Sequence, residues 1–563
     1  MTKRYRVREE ASPEAHTMLL RYPEFMRRLL LSRGITSAEE AERFISPSFE
    51  GDSHDPFLLP DMEQAARRLI EAAHGHEYIC VWSDYDCDGI PGGVALAEFL
   101  RSIGCSVRHY IPHRHEEGYG LNKEGLEILA AEGVGLVITV DLGTTDHEQV
   151  IYAQGLGMEV IVTDHHLPQA TLPPALAIIN PHRTDSTYPF KELCGGGVAW
   201  KLVQAILLRE RSLLPEGKER WLLDLVGLST LSDMVPLQGE NRMLASYGLL
   251  VMRKSRRAGL RALLRTIRVK QETLTEDDVA FMVTPRINAA SRMGSPEIAA
   301  ELLSTTSEEE GLRLALRLEK LNDERKGAVA STVKEARSRL RKRGGVSSPL
   351  IVMGNPLWRP GILGLVANAL VESEGVPVFL WGREGGETLK GSCRSDGSIN
   401  VVEVMGAARE FFEDFGGHEF SGGFSLKEER AHELPERLNE AFIAVRAQEG
   451  KERETLIDAE LTLEDAPQAL RHLRLLSPFG TGNKKPIFLF PSVSVSRVRT
   501  FGKKNDHLEV GLARGGAELS GVSFFSTPDS FQKKISLGLR VDVIGHVEQD
   551  FRGRPRLRVV DIL

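Results

Sequence analysis

From about residue 61 onward, short apolar runs alternate with amphipathic stretches. Met62 to Ala73 carries apolar residues at helical spacing, and helical patterns recur near 93–103, 122–132 and 146–154. Between them lie Ile79–Trp82, Val107–Ile111, Leu136–Val140, Glu159–Thr163 and Ala177–Asn180, which read as short buried strands. This alternation predicts an α/β fold with a doubly wound, mostly parallel sheet. Residues 1 to about 60 read as mixed and mainly helical, with Pro47, Pro56 and Pro60 at turns. From about 196 to 340 the pattern is almost all helix. Its last segment, Glu308 to Arg343, carries Leu314, Leu318 and Leu321 on one face, and Gly344-Gly345 and Ser347-Ser348-Pro349 end it. A long connecting helix fits this segment, and so does another helix packed within the first domain. A second α/β unit starts at Leu350–Gly354, continues through a helix near 361–373 and a strand at Val376–Leu380, and has Gly-rich turns at 391–397 and 416–423. After about 451 come Ile487–Phe490, Val493–Val498, His507–Leu512, Leu519–Phe525, Leu539–Val547 and Arg556–Val560, the pattern of a small closed β-barrel. The expected division is 1–60, 61–305, 306–345, 346–450 and 451–563.

Length and charge refine this picture. A chain of 563 residues should hold several domains. The five cysteines form no CxxC pair, which points to a reducing compartment and against a zinc ribbon. The first residues, MTKRYRVREEASPE, lack the apolar core of a signal peptide, and no run approaches a membrane span, so a cytoplasmic protein without a membrane partner is expected. The net charge of −8 is unevenly spread. Residues 484–563 hold fourteen Lys/Arg against eight Asp/Glu, a net +6, which leaves −14 on the rest. An acidic body with a basic C-terminal module is one reading, and ordinary surface variation is the other.

The chemistry concentrates in Tyr78 to Gly93, YICVWSDYDCDGIPGG. A strand run ends in Asp84, Asp86 and Asp88, at alternate positions, followed by Gly89. Carboxylates two apart on extended chain project to one side, and three together call for a cation. An acidic turn competes with this reading. A calcium EF-hand loop fails twice, because its twelfth position is Ala95 and a strand, not a helix, precedes it. Two more strands end in ligand-type residues, Asp141 and then Asp164-His165-His166, and Asp233 lies in the helical part. Singly, each reads as a helix cap or a surface residue. Together, at neighbouring strand ends, they converge. Mixed Asp and His ligands without Cys favour Mn²⁺ or Mg²⁺. More than four ligands suggest two ions, the arrangement that drives phosphoester hydrolysis at a spacing of about 3.5–4 Å.

The set SDYDCDG, VDLGT, VTDHH and LSDMVPL resembles the four motifs of the DHH phosphoesterase superfamily. The flanks IPHRHEEGYGLN, LCGGGVAWKL, SDMVPLQGENR, PRINAASRMG and WRPGILGLVA resemble the RecJ family of bacterial single-stranded-DNA-specific exonucleases. GSCRSDG and FGGHEFSGGF resemble its DHHA1 domain, and SPFGTGNKKPIF with the β-rich tail resembles its OB-fold. The resemblance runs from about residue 25 to the C-terminus.

That resemblance implies degradation of single-stranded DNA from the 5′ end to mononucleotides with Mn²⁺ or Mg²⁺, in recombination and repair. It implies Asp86, Asp88, Asp141, His165 and Asp233 as metal ligands, with Asp84 and His166 close beside them as catalytic groups. It maps a 5′-phosphate pocket to Arg114, Ser392 and Arg394, places His418 on the scissile phosphate, and makes Tyr119 and Arg286 strand contacts. Single-stranded DNA is the implied partner, with a single-strand-binding protein or helicase as protein partners. The basic tail and Phe501, Phe524, Phe525 and Phe551 fit an OB-fold groove, though some of these rings should be barrel core. The sequence departs from the family pattern at Cys87, at Pro91-Gly92, in DLGTTDHE and at Cys393. A DHH enzyme acting on short oligonucleotides, cyclic dinucleotides or pyrophosphate, or a catalytically silent scaffold, are the alternatives.

Overall fold

The structure, a computed structural model, describes residues 4–9, 12–342, 344–346, 348–383, 388–449, 454–502, 505–550 and 552–563. Arg343, Ser347 and Phe551 lie outside the described residues. Strands are numbered along the chain from β1 (Tyr5–Val7). The first large sheet contains β2 (Tyr78–Ser83), β3 (Ser106–Tyr110), β4 (Leu136–Val140), β5 (Glu159–Thr163) and β6 (Ala177–Ile179), all parallel, in the order β3-β2-β4-β5-β6. Side chains of β2 alternate between two cores. Ile79 and Val81 join helices Met62–His74, Gly89–Ser102 and Gly195–Arg209, while Cys80 and Trp82 join Lys123–Ala131 and His147–Gly155 on the other face. Burial explains why β2, β4, β5 and β6 read as short apolar runs, whereas the edge strand β3 (SVRHY) is partly exposed and keeps polar residues. The strand order reverses between β2 and β4. In open α/β sheets that switch point leaves a crevice at the carboxyl ends of the strands.

Helices fill the chain from Gly195 to Ser304, and a 35-residue helix follows at Glu308–Lys342. Its Leu314 and Leu318 belong to the first domain's core, whereas Ala336 and Leu340 belong to the core around Trp358 and Leu363. Each half of the helix is anchored in a different core, so it is a connector.

The second sheet has β7 (Ile351–Gly354), β8 (Val378–Gly382), β9 (Thr388–Arg394), β10 (Asp414–His418) and β11 (Ser421–Lys427), ordered β10-β11-β9-β8-β7, with only β7 and β8 parallel. The Gly-rich stretches predicted as turns are mostly strand. A Cβ on Gly391 would lie 2.1 Å from the Phe424 ring in the neighbouring strand. Glycine there makes room for an aromatic ring, a use of glycine that composition alone does not separate from a turn.

The C-terminal part holds β12 (Thr455–Ile457), β13 (Ala459–Glu460), β14 (Phe488–Phe501), β15 (His507–Arg514), β16 (Ala517–Ser523), β17 (Arg540–Gln549) and β18 (Pro555–Ile562). The pairings β14-β15-β16-β18-β17 return to β14 and close a five-stranded barrel. The two runs predicted around Pro491 are one 14-residue strand. Its register shifts between Phe490 and Val493 and Ser492 has φ 55°, so the strand bends there without ending. Helices Glu24–Leu31 and Ala38–Ile45 pack into this barrel's core through Met26, Leu29 and Leu30, and β1 pairs with β12. The N-terminal segment therefore docks at the far end of the chain. Among the described residues no helix is long and apolar enough to cross a membrane.

Candidate metal centre and strand-binding cleft

Three adjacent strands end side by side. The amides of Asp84, Asp141 and Asp164 donate to Val140, Thr163 and Ile179 at 3.0–3.1 Å, so each motif leaves the sheet at the same level beside the switch point. Asp141 turns sharply, with φ 67°, a left-handed conformation unusual outside glycine. Its Cβ faces Gly195, where a methyl group would lie only 2.4 Å away.

The ligand-type residues converge. Asp84, Asp86 and Asp141 form one group; Asp88, His165 and Asp233 form another; Asp141, His165 and His166 form a third, each with ligand atoms within 4.8 Å of one another. His165 Nε2 lies 3.1 Å from Asp141 Oδ1, 3.8 Å from Asp233 Oδ2 and 3.9 Å from Asp88 Oδ2. The buried oxygens Asp84 Oδ1, Asp141 Oδ1 and Asp233 Oδ2 have no hydrogen-bond partner. Burial, and then the neighbouring carboxylates, raise Asp84 and Asp141 well above the ordinary carboxylate range and push Asp233 up to about 6. A packed set of carboxylates with orphaned oxygens and one shared imidazole suits hard divalent cations, and the residues fit Mn²⁺ or Mg²⁺.

The surrounding shell fixes these groups. Asp88 accepts the amides of Gly195 and Gly196 (2.7 and 2.9 Å) at the start of Gly195–Arg209, and the Ser229 hydroxyl. Asp86 Oδ1 accepts the amides of Asp88 and Gly89. The Cys87 amide donates to Asn288 Oδ1 at 2.9 Å. Asp164 does not enter the ligand groups. Its Oδ1 pairs with His166 Nδ1 at 2.8 Å, and its Oδ2 accepts the Thr144 amide. Burial disfavours the Asp164 carboxylate, but the His166 bond, the charges of His166 and His165 and the Thr144 bond together outweigh that and hold it below the usual range. Pro91 falls in the first turn of Gly89–Ser102, where a missing N–H costs little. A Cβ on Gly92 would lie 2.8 Å from the Gly196 backbone. The two helices touch there, which accounts for a glycine at this position.

Three family models match the chain: the DHH family N-terminal domain at residues 78–230, the DHHA1 domain at 347–444 and the RecJ OB domain at 457–561. The single-stranded-DNA-specific exonuclease RecJ of Escherichia coli is 32% identical over 592 residues, covering 100% of this chain and 99% of its own. That of Bacillus subtilis is 33% identical over 95% of this chain and 67% of its own length. The chain belongs to the RecJ family. Among solved structures, Thermus thermophilus RecJ in complex with Mn²⁺ superposes with a TM-score of 0.80 at 29% identity, covering 100% of this chain and 79% of that one.

The other residues that the RecJ resemblance singled out are placed unevenly. Tyr119 lies over the carboxylates, its hydroxyl 3.3 Å from the Asp141 carbonyl and 3.4 Å from His166 Nδ1. Arg114 stacks on Tyr85 at 4.6 Å. Arg394 packs on Gly364 in the first turns of helix Pro360–Glu374, and Ser392 shares its strand. His418 is exposed on β10 and makes no hydrogen bond or ion pair with the carboxylates. Arg286 is 5% exposed, pairs with Glu319 at 2.5 Å and donates to the Met282 carbonyl, so its guanidinium is engaged in tying down the long helix.

Arg292, which the sequence reading does not single out, also borders the site. It lies four residues after Asn288 on the same helix, hence on the face turned to the Asp84–Asp88 loop. It donates to the Gly361 carbonyl at 2.6 Å, and burial, then neighbouring Arg114, lowers it to about 9. Of the aromatic residues, Phe524 and Phe525 are exposed (42% and 83%) and ring His507 with Phe501, while Phe488 and Phe490 fill the barrel.

Proposed function

We propose that this chain is a metal-dependent, single-stranded-DNA-specific exonuclease that works from the 5′ end and releases 5′-mononucleotides, in DNA recombination and repair. The observation that carries this reading is the convergence of the three ligand groups at the sheet's switch point, with three buried carboxylate oxygens left unpartnered. Asp86, Asp88, Asp141, His165 and Asp233 are the proposed ligands, with Asp84 and His166 flanking them. Divalent cations bound there supply an activated water and neutralise charge on the phosphoryl oxygens. The chain's own groups do the rest. His166, held through Nδ1 by Asp164, keeps Nε2 for a proton. Arg292 is placed to offset negative charge near Asp86. Arg114, Ser392 and Arg394 are assigned to the 5′-phosphate, since guanidinium groups grip phosphate bidentately. Tyr119 is assigned to the strand, and His418 to the scissile phosphate by resemblance alone.

The exposed rings Phe524 and Phe525 favour a long strand over a dinucleotide, because a small substrate needs no stacking platform. Requiring a free single strand, the enzyme fits a helicase or a single-strand-binding protein as supplier, in the cytoplasm. The division 1–60, 61–305, 306–345, 346–450 and 451–563 belongs to this proposal, with residues 24–45 sharing the barrel's core. The test is a nuclease assay on 5′-phosphorylated, 3′-labelled strands. Mononucleotide release only with Mn²⁺ or Mg²⁺, and not from duplex, is the expected result. Strand binding without cleavage under any metal condition would establish the silent scaffold instead.

A further inference from the structure

The loop that carries Asp233 is held from the barrel side. Asp233 ends helix Leu223–Ser232, and helix Gly239–Met252 begins six residues later. Between them Met234 is 77% exposed, so the loop's outer edge has little packing of its own. Its other end meets the barrel's turn Gly480–Asn483. The Leu237 amide donates to the Thr481 carbonyl at 2.8 Å, and Gln238 Nε2 donates to the Gly482 carbonyl at 2.9 Å.

Two glycines allow this approach. A Cβ on Gly480 would lie 2.8 Å from Leu237 Cδ1. One on Gly482 would lie 2.9 Å from Pro236 Cβ, and Gly482 also has φ 72°, which disfavours any side chain. The turn is fixed in its own right. Asn483 is fully buried and donates to the Leu476 and Pro478 carbonyls, at 2.8 and 2.7 Å. Two buried charges from the first domain grip the same segment. Arg242 donates to the Ser477 and Pro478 carbonyls, and Glu276 accepts the Phe479 amide and the Ser477 hydroxyl. The motifs SDMVPLQGENR and SPFGTGNKK are thus two halves of one contact.

We propose that the Gly480–Asn483 turn, with Gln238, is a positioning element of the metal centre. By fixing the Asp233 loop it makes cation binding at Asp88, His165 and Asp233 depend on the barrel's seat. The inference rests on Asp233 being a metal ligand, as proposed above. Asp233 has one oxygen bonded to the Met234 amide and the other unpartnered, so only the loop's backbone sets where that oxygen points. A shift of a few tenths of an ångström at Leu237 is transmitted along four residues to a ligand whose distances tolerate little change.

The test measures Mn²⁺ binding to the metal-free full-length protein by electron paramagnetic resonance of free Mn²⁺, independent of catalysis. Four variants are compared: Gln238→Ala, Gly482→Ala, Lys485→Ala and Asp233→Asn. Lys485→Ala breaks the Lys485–Asp277 ion pair of the same interface without touching the Asp233 loop. Gln238→Ala and Gly482→Ala are expected to weaken one class of Mn²⁺ site by about tenfold, within the range for groups that orient a ligand. Lys485→Ala should bind like the parent. Parent-like binding in a folded Gln238→Ala overturns the proposal even if Gly482→Ala fails to fold. Equal losses in all three interface variants also overturn it, since they would reflect general loosening. Unchanged binding in Asp233→Asn would overturn the underlying ligand assignment instead.

Discussion

At the ends of β2, β4 and β5 acidic groups are buried with oxygens left without a hydrogen bond, whereas beyond the end of β16 the rings of Phe524 and Phe525 are left in water. Both regions are complete only with something bound, but the strain differs in kind. Two like charges about 4 Å apart cost on the order of 4 kcal/mol at an effective dielectric of 20. An exposed Phe forgoes roughly 1.5–3 kcal/mol of burial. The first region is the more stressed and calls for its partner more strongly. It is also the more rigid, since Asp88 and Asp86 are tethered to backbone amides. The aromatic region sits beyond a strand end, with Phe525 at φ 54°.

If the two regions are separable, Asp141→Ala should lower single-turnover hydrolysis more than a hundredfold while strand affinity changes only a few-fold. Equal collapse of both would break the distinction. Arg292→Ala should cost about a hundredfold in turnover, the range for a group opposing transition-state charge. Arg286→Ala should instead lower the melting temperature, because it leaves Glu319 unpaired. Finding the reverse assignment would restore Arg286 to the cleft. Without divalent metal, Asp141→Asn should melt above the parent, having lost a carboxylate disfavoured by burial and then by its acidic neighbours, at a left-handed position that Asn tolerates. Saturating Mn²⁺ should then stabilise the parent by about 2.7 kcal/mol at a hundredfold excess over Kd, and the variant by less. Phe525→Ala should weaken binding of a long strand by about 1–3 kcal/mol and leave dinucleotide cleavage unchanged. An equal effect on both substrates would mean that the ring serves the catalytic domain.

Much of the fold is legible in the sequence because the central parallel strands β2, β4 and β5 are buried on both faces and so form apolar runs, while edge strand β3 keeps polar residues. Most of the ligand residues are legible for the same reason, lying just beyond the ends of β2, β4 and β5, whereas Asp233 ends a helix. What is hidden depends on partners far away in sequence. Gly391 looks like a turn until Phe424 is known to lie against it. Arg286 and Arg292 differ only in which face of a short helix they occupy. Phe488 and Phe524 are alike in composition, yet one fills the barrel and the other lies on its surface. Pro491 reads as a strand end because a bend and a break share the same residues.

The N-terminal helices find their core in the barrel, and Arg33 bonds to Asn483 across 450 residues. On a ribosome adding about 5–20 residues per second, Met26, Leu29 and Leu30 emerge roughly 20–90 seconds before the strands that cover them. For that interval the nascent chain exposes an apolar face with no native partner. The catalytic sheet, built from neighbours in sequence, can close early, whereas the barrel's core must wait for the chain's last strands. Slow, late ring closure makes those helices a natural foothold for a chaperone during synthesis, and the place where a stalled or truncated chain would aggregate.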